Sequence, residues 1–126
     1  MDVTGGKAGN PMGDKEGHVR DLIQTYVDQG WDRRLIVLRW LVDSNGRMEW
    51  DRFRRMCSTQ WYPLSYYVLY SQLSRDGLVF TKWLYDRRPD EKGAWTYTLI
   101  PDEVYPAVKS EIERHREEID VLTKGG

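Results

Sequence analysis

Apolar side chains recur at helical spacing in residues 18–30, where they fall at positions i, i+3, i+4, i+7 and i+8. That spacing places them on one face, so it predicts an amphipathic helix that ends at Gly30. The next segment, WDRRLIVLRWLV, is apolar on most sides, which is typical of a central, buried helix. Residues 1–17 contain five glycines and no apolar period, so we expect a disordered tail there.

Short elements separated by turns make up the next part of the chain. The residues DSNG at 43–46 predict a turn, RMEW predicts a short strand with Met48 pointing inward, and DRFRRMC predicts a short helix. On that helix Trp50, Phe53 and Cys57 share the inward face. The residues left on its outward face are basic: Arg52, Arg54 and Arg55.

A further helix is predicted over residues 63–76, with Pro63 in its first turn, where a missing N–H costs nothing. Its inward stripe is apolar or aromatic: Tyr66, Leu69, Tyr70 and Leu73. The outward side then consists of Ser65, Tyr67, Val68, Ser71, Gln72 and Arg75. Glutamine can pair with adenine, valine can touch a thymine methyl group, and arginine can bind guanine or phosphate. This outward side therefore suits the major groove of DNA, and an ordinary solvated face is the alternative.

Alternation at every second position predicts two strands, LVFTKWLYD and AWTYTLI, joined by the turn RRPDEKG. The hairpin and the short strand before it carry basic candidates for phosphate contacts: Arg47, Lys82, Arg87, Arg88 and Lys92. Three acidic residues at the same hairpin tip, Asp86, Asp90 and Glu91, offset part of this charge.

The last segment, PDEVYPAVKSEIERHREEIDVL, begins with proline and acidic residues, as expected for the start of a long helix. Its seam has heptad spacing and consists of Tyr105, Val108, Ile112, His115, Ile119 and Leu122. We expect this seam to pair two copies of the chain as a homodimer, in which His115 is a tolerated polar spacer; a pH-sensitive interface is the alternative for this residue. The alternative is that the seam folds back on the first helices of its own chain.

Composition and charge narrow the class of protein. The chain has 126 residues, which suits one domain, and its net charge of −1 hides an uneven distribution. Residues 46–92 carry nine basic and six acidic side chains, and residues 93–126 carry four and seven. Such an uneven distribution of charge creates an electrostatic field that can steer a polyanion to one face of the protein.

Candidate catalytic chemistry is sparse. Cys57 is the only cysteine, which excludes an internal disulfide and a zinc site built from cysteines. The two histidines are distant and no carboxylate pair converges with them, so we expect no enzyme, no metal and no cofactor. No apolar run approaches the roughly 20 residues of a membrane span, and no signal peptide is evident, so we expect a cytoplasmic, nucleoid-associated protein.

The order of these elements resembles the winged helix-turn-helix domain of MarR-like and PadR-like transcriptional regulators. The resemblance is carried by LRWLVDSNGRMEWDRFRRM, YSQLSRDGLVFTKW and YTLIPDEV, with Leu73 four residues before Gly77, and it spans residues 31–122. It implies an α+β, mainly α fold with a two-stranded wing and a long C-terminal helix. The expected organisation is a tail (1–17), a winged-helix domain (18–100) and a dimerisation helix with a short tail (101–126). It also suggests an archaeal or archaeal-viral source, with the host cytoplasm as the location in the viral case.

The function that this resemblance implies is a dimeric regulator of transcription that binds double-stranded DNA. Helix 63–76 would enter the major groove, and the basic wing 82–93 would contact the backbone or minor groove. A second hypothesis is a winged-helix adaptor that binds another protein through its tyrosines and tryptophans. A third keeps DNA binding and adds a pocket for a small-molecule effector beneath the dimer helices, as in MarR-like sensors, although no residue identifies a ligand.

Overall fold

The structure is a computed structural model that describes residues 11–84 and 95–125. In chain order the elements are α1 (Pro11–Gln29), α2 (Asp32–Asp43), β1 (Arg47–Glu49), α3 (Trp50–Gln60), α4 (Ser65–Arg75), β2 (Phe80–Leu84), β3 (Trp95–Leu99), α5 (Tyr105–Arg114) and α6 (Arg116–Gly125). The fold is therefore α+β and mainly helical, as the sequence predicted.

Helix α1 begins earlier than expected. It starts at Pro11, so the prediction of disorder is wrong for residues 11–17, whereas residues 1–10 lie outside the described residues. Proline is favoured in a first helical turn, and an ion pair of 3.1 Å joins Lys15 Nζ to Glu103 beside α5. The prediction of disorder was wrong here because a glycine-rich composition carries no information about tertiary contacts such as this ion pair.

Helix α2 is the central element of the fold, which confirms the prediction from its all-round apolar pattern. Its buried residues are Leu35, Ile36, Val37, Leu38, Leu41 and Val42. It contacts α1, α4, α5, α6 and β1, so apolar side chains are needed on nearly every side. The short elements after it also match the prediction, since Met48, Phe53 and Cys57 are all buried.

The strands form one three-stranded antiparallel sheet in the order β1-β3-β2. The sequence predicted a two-stranded wing, and this number is wrong because β1 pairs with β3 and adds a third strand. Gly46 allows the tight entry into β1, since its φ of +88° favours glycine and a Cβ there would lie 2.9 Å from the Tyr105 ring.

Register assigns the side chains of the sheet to two faces. Met48, Thr81 and Thr98 are cross-strand partners and share one face, on which the Tyr70 hydroxyl of α4 donates a hydrogen bond to Thr81 over 3.3 Å. Because successive side chains of a strand point to opposite sides, the other set lies on the face away from α4. We call this the outer face, and its members are Arg47, Glu49, Phe80, Lys82, Tyr97 and Leu99.

The predicted C-terminal seam packs on its own chain. Val108, Ile112 and Ile119 have no exposed surface and His115 has 7%, whereas Tyr105 and Leu122 are partly buried. These residues belong to the same core as α1 and α2, so their assignment to a dimer interface is corrected in favour of the fold-back alternative. Heptad spacing describes a narrow apolar stripe and not what covers it.

The long helix is also divided in two, because α5 ends at Arg114 and α6 begins at Arg116. Side-chain pairs hold the second half, α6, on α2. Arg116 donates to Asp43 over 2.9 Å, and Arg39 pairs with Asp120. The hydrogen bonds with Glu113 and then with Asp43 raise the pKa of Arg116, and the bond from Arg116 lowers the pKa of Glu113.

Within the described residues, no helix has the length and apolar character required to cross a membrane. The same part of the chain contains no group of three or more histidine, cysteine, aspartate or glutamate residues arranged to hold a metal ion.

Candidate nucleic-acid interface

Helix α4 lies on α3 through an aromatic seam. Leu69 and Leu73 are buried, and the rings of Tyr66 and Tyr70 meet Trp50 edge-on, with centroids 5.7 and 5.3 Å away. Edge-to-face contact is a favourable arrangement for aromatic rings. The predicted inward stripe of α4 is thus confirmed, and it accounts for two of the tyrosines that make this segment so aromatic.

The outward side of α4 is solvent-facing at five of the six predicted positions. Tyr67 is 64% exposed, Val68 is 40% exposed, Arg75 is exposed, and Ser71 and Gln72 are partly exposed. These five residues, Tyr67, Val68, Ser71, Gln72 and Arg75, are called the α4 strip below.

Ser65 does not belong to this strip. It has no exposed surface, and its hydroxyl donates a hydrogen bond of 2.9 Å to the carbonyl oxygen of Cys57 in α3. The same carbonyl also accepts a hydrogen bond from the backbone N–H of Trp61 over 2.9 Å, so the Ser65 hydroxyl adds a second bond that ties the first turn of α4 to the end of α3. Its assignment to DNA binding is therefore wrong, and its role is to fix the angle between α3 and α4.

Three arginines on α3 are exposed, and one of them, Arg54, lies beside α4. Arg54 is 3.6 Å from Asp51, and its guanidinium lies 5.9 Å from the centre of the Tyr66 ring of α4. Arg52 and Arg55 form no ion pair with any described residue.

A groove between the start of α2 and α4 was not predicted. It encloses about 350 Å³ and is lined by Trp31, Arg33, Arg34, Tyr62, Val68, Gln72 and their neighbours. Arg33 lies over the rings of Trp61 and Tyr62, at 5.5 and 5.6 Å, and pairs with no described acid. The signal available in the sequence was the pair of arginines at the start of an otherwise apolar helix.

Arg34 connects this groove to the core. It lies 4.1 Å from the centre of the Trp31 ring, donates to Gln72 Oε1 over 3.3 Å, and is 3.5 Å from Asp76. The hydroxyl of buried Tyr26 also donates to Asp76, over 2.5 Å. Burial, followed by the bond to Asp76, raises the pKa of Tyr26 well above its ordinary value. The network therefore fixes Gln72 with its amide oxygen toward Arg34, which leaves the amide N–H groups for an external acceptor.

Two other predicted basic residues do not join this surface. Arg47 and Lys82 are exposed on the outer face of the sheet, away from α4. Strand alternation separates the two surfaces although the residues are close in sequence. The wing-tip residues Arg87, Arg88 and Lys92 lie outside the described residues.

No protein-family model matches the chain, and the comparisons with curated proteins and with solved structures found no match either.

Proposed function

We propose that this chain is a winged-helix protein that binds double-stranded DNA and regulates transcription. In this proposal α4 is the recognition helix, and the hairpin of β2 and β3, extended by β1, is the wing. The observation that carries the proposal is the solvent-facing α4 strip, which borders exposed Arg33 of α2 across the groove, with further exposed arginines on α3.

The chemistry of this surface separates into base contacts and phosphate contacts. Gln72 offers amide donors and Val68 an apolar surface, which suit base edges in a major groove. Arg33 borders the strip, Arg52 and Arg55 are exposed on α3, and all three suit phosphates, which supply much of the affinity of such proteins. A homodimer, formed through a surface other than the C-terminal seam, would place two α4 helices about 34 Å apart on one duplex.

A salt titration of binding to random-sequence duplex DNA, measured by fluorescence anisotropy, tests the proposal. We expect the affinity to fall steeply with salt, and the double variant Arg52→Ala/Arg55→Ala to reduce the slope of log K against log salt by about 2. The control is Arg47→Ala, since Arg47 is also exposed but lies on the outer face. Gln72→Ala should change the preferred sequence in a selection from a randomised duplex and leave random-sequence affinity nearly unchanged. Absent binding at low salt, or equal loss from the control, would refute the proposal.

A second candidate function is supported by a specific observation, the apolar character of the surface around the start of α4. Leu64 and Tyr67 are each 64% exposed, and Trp31 and Tyr62 are each about two-fifths exposed. Aromatic residues and arginine are enriched where proteins bind one another, so an adaptor that binds a protein partner is the alternative. Duplex binding that is absent at low salt would favour this adaptor function.

A further inference from the structure

The outer face of the sheet combines exposed aromatic and basic side chains. Phe80 is 37% exposed, and the partly exposed Tyr97 is its diagonal neighbour, since Phe80 pairs with Leu99 and Lys82 pairs with Tyr97. Diagonal side chains on one face of a sheet lie about 7–8 Å apart or less, which is within reach of aromatic rings. The face therefore presents two neighbouring rings to solvent.

Cations accompany these rings. The guanidinium of Arg47 lies 5.5 Å from the centre of the Tyr97 ring, and Lys82 is directly opposite Tyr97 on the next strand. Neither Arg47 nor Lys82 forms an ion pair with a described residue. Glu49 occupies the same face opposite Tyr97, and Asp102 lines the cavity beside it, so two carboxylates balance the two cations and aromatic stacking must contribute most of any affinity.

A cavity of about 500 Å³ opens beside this face. Its lining adds Asn45, Asp102 and Tyr105 to Arg47, Phe80 and Lys82. This volume is within the range of small-molecule binding sites. The amide of Asn45 and the carboxylate of Asp102 can bind the polar edge of a base, the rings can stack on its faces, and the two cations can bind its phosphate.

We propose that the outer face binds single-stranded nucleic acid, with unpaired bases stacked on Phe80 and Tyr97 and phosphates held by Arg47 and Lys82. Paired bases are stacked within a duplex and do not offer their faces to such rings, so the ligand is a single strand. The site is independent of the proposed duplex binding, because the outer face and α4 lie on opposite sides of the sheet.

A fluorescently labelled twelve-nucleotide oligothymidine tests the proposal by anisotropy at low salt. We expect binding by the full chain, and a dissociation constant roughly fivefold or more higher in each of Phe80→Leu and Tyr97→Leu, since stacking contributes substantially per base. The double variant Arg47→Ala/Lys82→Ala should weaken binding and flatten its salt dependence. Circular dichroism and thermal unfolding verify that each variant is folded.

The control is Arg52→Ala/Arg55→Ala, which should leave oligothymidine binding unchanged. Absent binding by the unmodified chain, or unchanged affinity in both folded aromatic variants, would overturn the proposal. Thymidine monophosphate that competes as well per nucleotide as the oligomer would also overturn it, because the ligand would then be a free nucleotide. Failure of duplex binding leaves this test intact, since the two assays use different ligands and different variants.

Discussion

The hydrogen bond between Tyr26 and Asp76 offers a quantitative test of the network behind Gln72. The change is Tyr26→Phe, which removes one hydroxyl from a side chain with no exposed surface and leaves no large cavity. A hydrogen bond to a charged group contributes about 1.5–3 kcal/mol. Asp76 keeps its contact with Arg34 and its side chain is 26% exposed, so we expect a loss near the lower limit, about 1.5 kcal/mol.

The same hydroxyl should make this difference depend on pH. The pKa of Tyr26 is raised in the folded chain, mainly by burial, so the folded state keeps its proton where the unfolded state loses it. The associated stability is present below the unfolded pKa of about 10 and is lost as the pH rises above it. At about pH 11 the unmodified protein loses about 1.4 kcal/mol of its unfolding free energy. This loss nearly cancels its stability advantage over Tyr26→Phe.

Urea denaturation of both proteins at about pH 7 and about pH 11 measures the effect. All other side chains are the same in the two proteins, so their contributions cancel in the comparison. Equal unfolding free energies at neutral pH, or a difference that persists unchanged at high pH, would refute the reasoning. A double-mutant cycle with Asp76→Asn isolates the coupling between the two residues.

Three further outcomes are expected. Gly46→Ala should lower the melting temperature, measured by calorimetry, more than Gly77→Ala does. Both glycines have positive φ, but only at Gly46 would the added Cβ meet an aromatic ring. Burial raises the pKa of the Cys57 thiol to about 12, so a thiol reagent near pH 8 should leave it unmodified until denaturant is added, and rapid modification of the native chain would contradict this. Ser65→Ala should cost about 1–2 kcal/mol in urea unfolding, whereas Ser71→Ala should cost almost nothing, and equal effects would be inconsistent with the hydrogen bond of Ser65.

Periodicity predicted much of the fold because it reflects which side of an element is buried. The apolar pattern located α2 as the central helix and identified Leu69 and Leu73 as the inward side of α4. It failed at Ser65, because a small polar residue can be buried when it satisfies a carbonyl of a neighbouring helix. That partner lies outside the helix, so the pattern within the helix cannot reveal it.

The candidate site was less predictable, because it depends on how elements pack. The groove at Arg33 and Arg34 exists only because the start of α2 lies beside α4. Heptad spacing likewise located the apolar residues of the last helices but could not distinguish a partner chain from the same chain. Ile119, expected at a dimer interface, has no exposed surface for a second chain.

The basic middle of the sequence is divided between two surfaces, and this division sets the salt dependence expected of duplex binding. Arg47 and Lys82 lie on the outer face, whereas the arginines without described acidic partners on the α4 side are Arg33, Arg52, Arg55 and Arg75. Each phosphate neutralised contributes about −0.9 to the slope of log K against log salt, so four contacts predict about −4 per chain. Counting all nine basic residues of positions 46–92 as phosphate contacts would predict about −8. A measured slope near the steeper value, reduced by Arg47→Ala, would show that one duplex contacts both sides of the sheet and would contradict the separation derived from strand register.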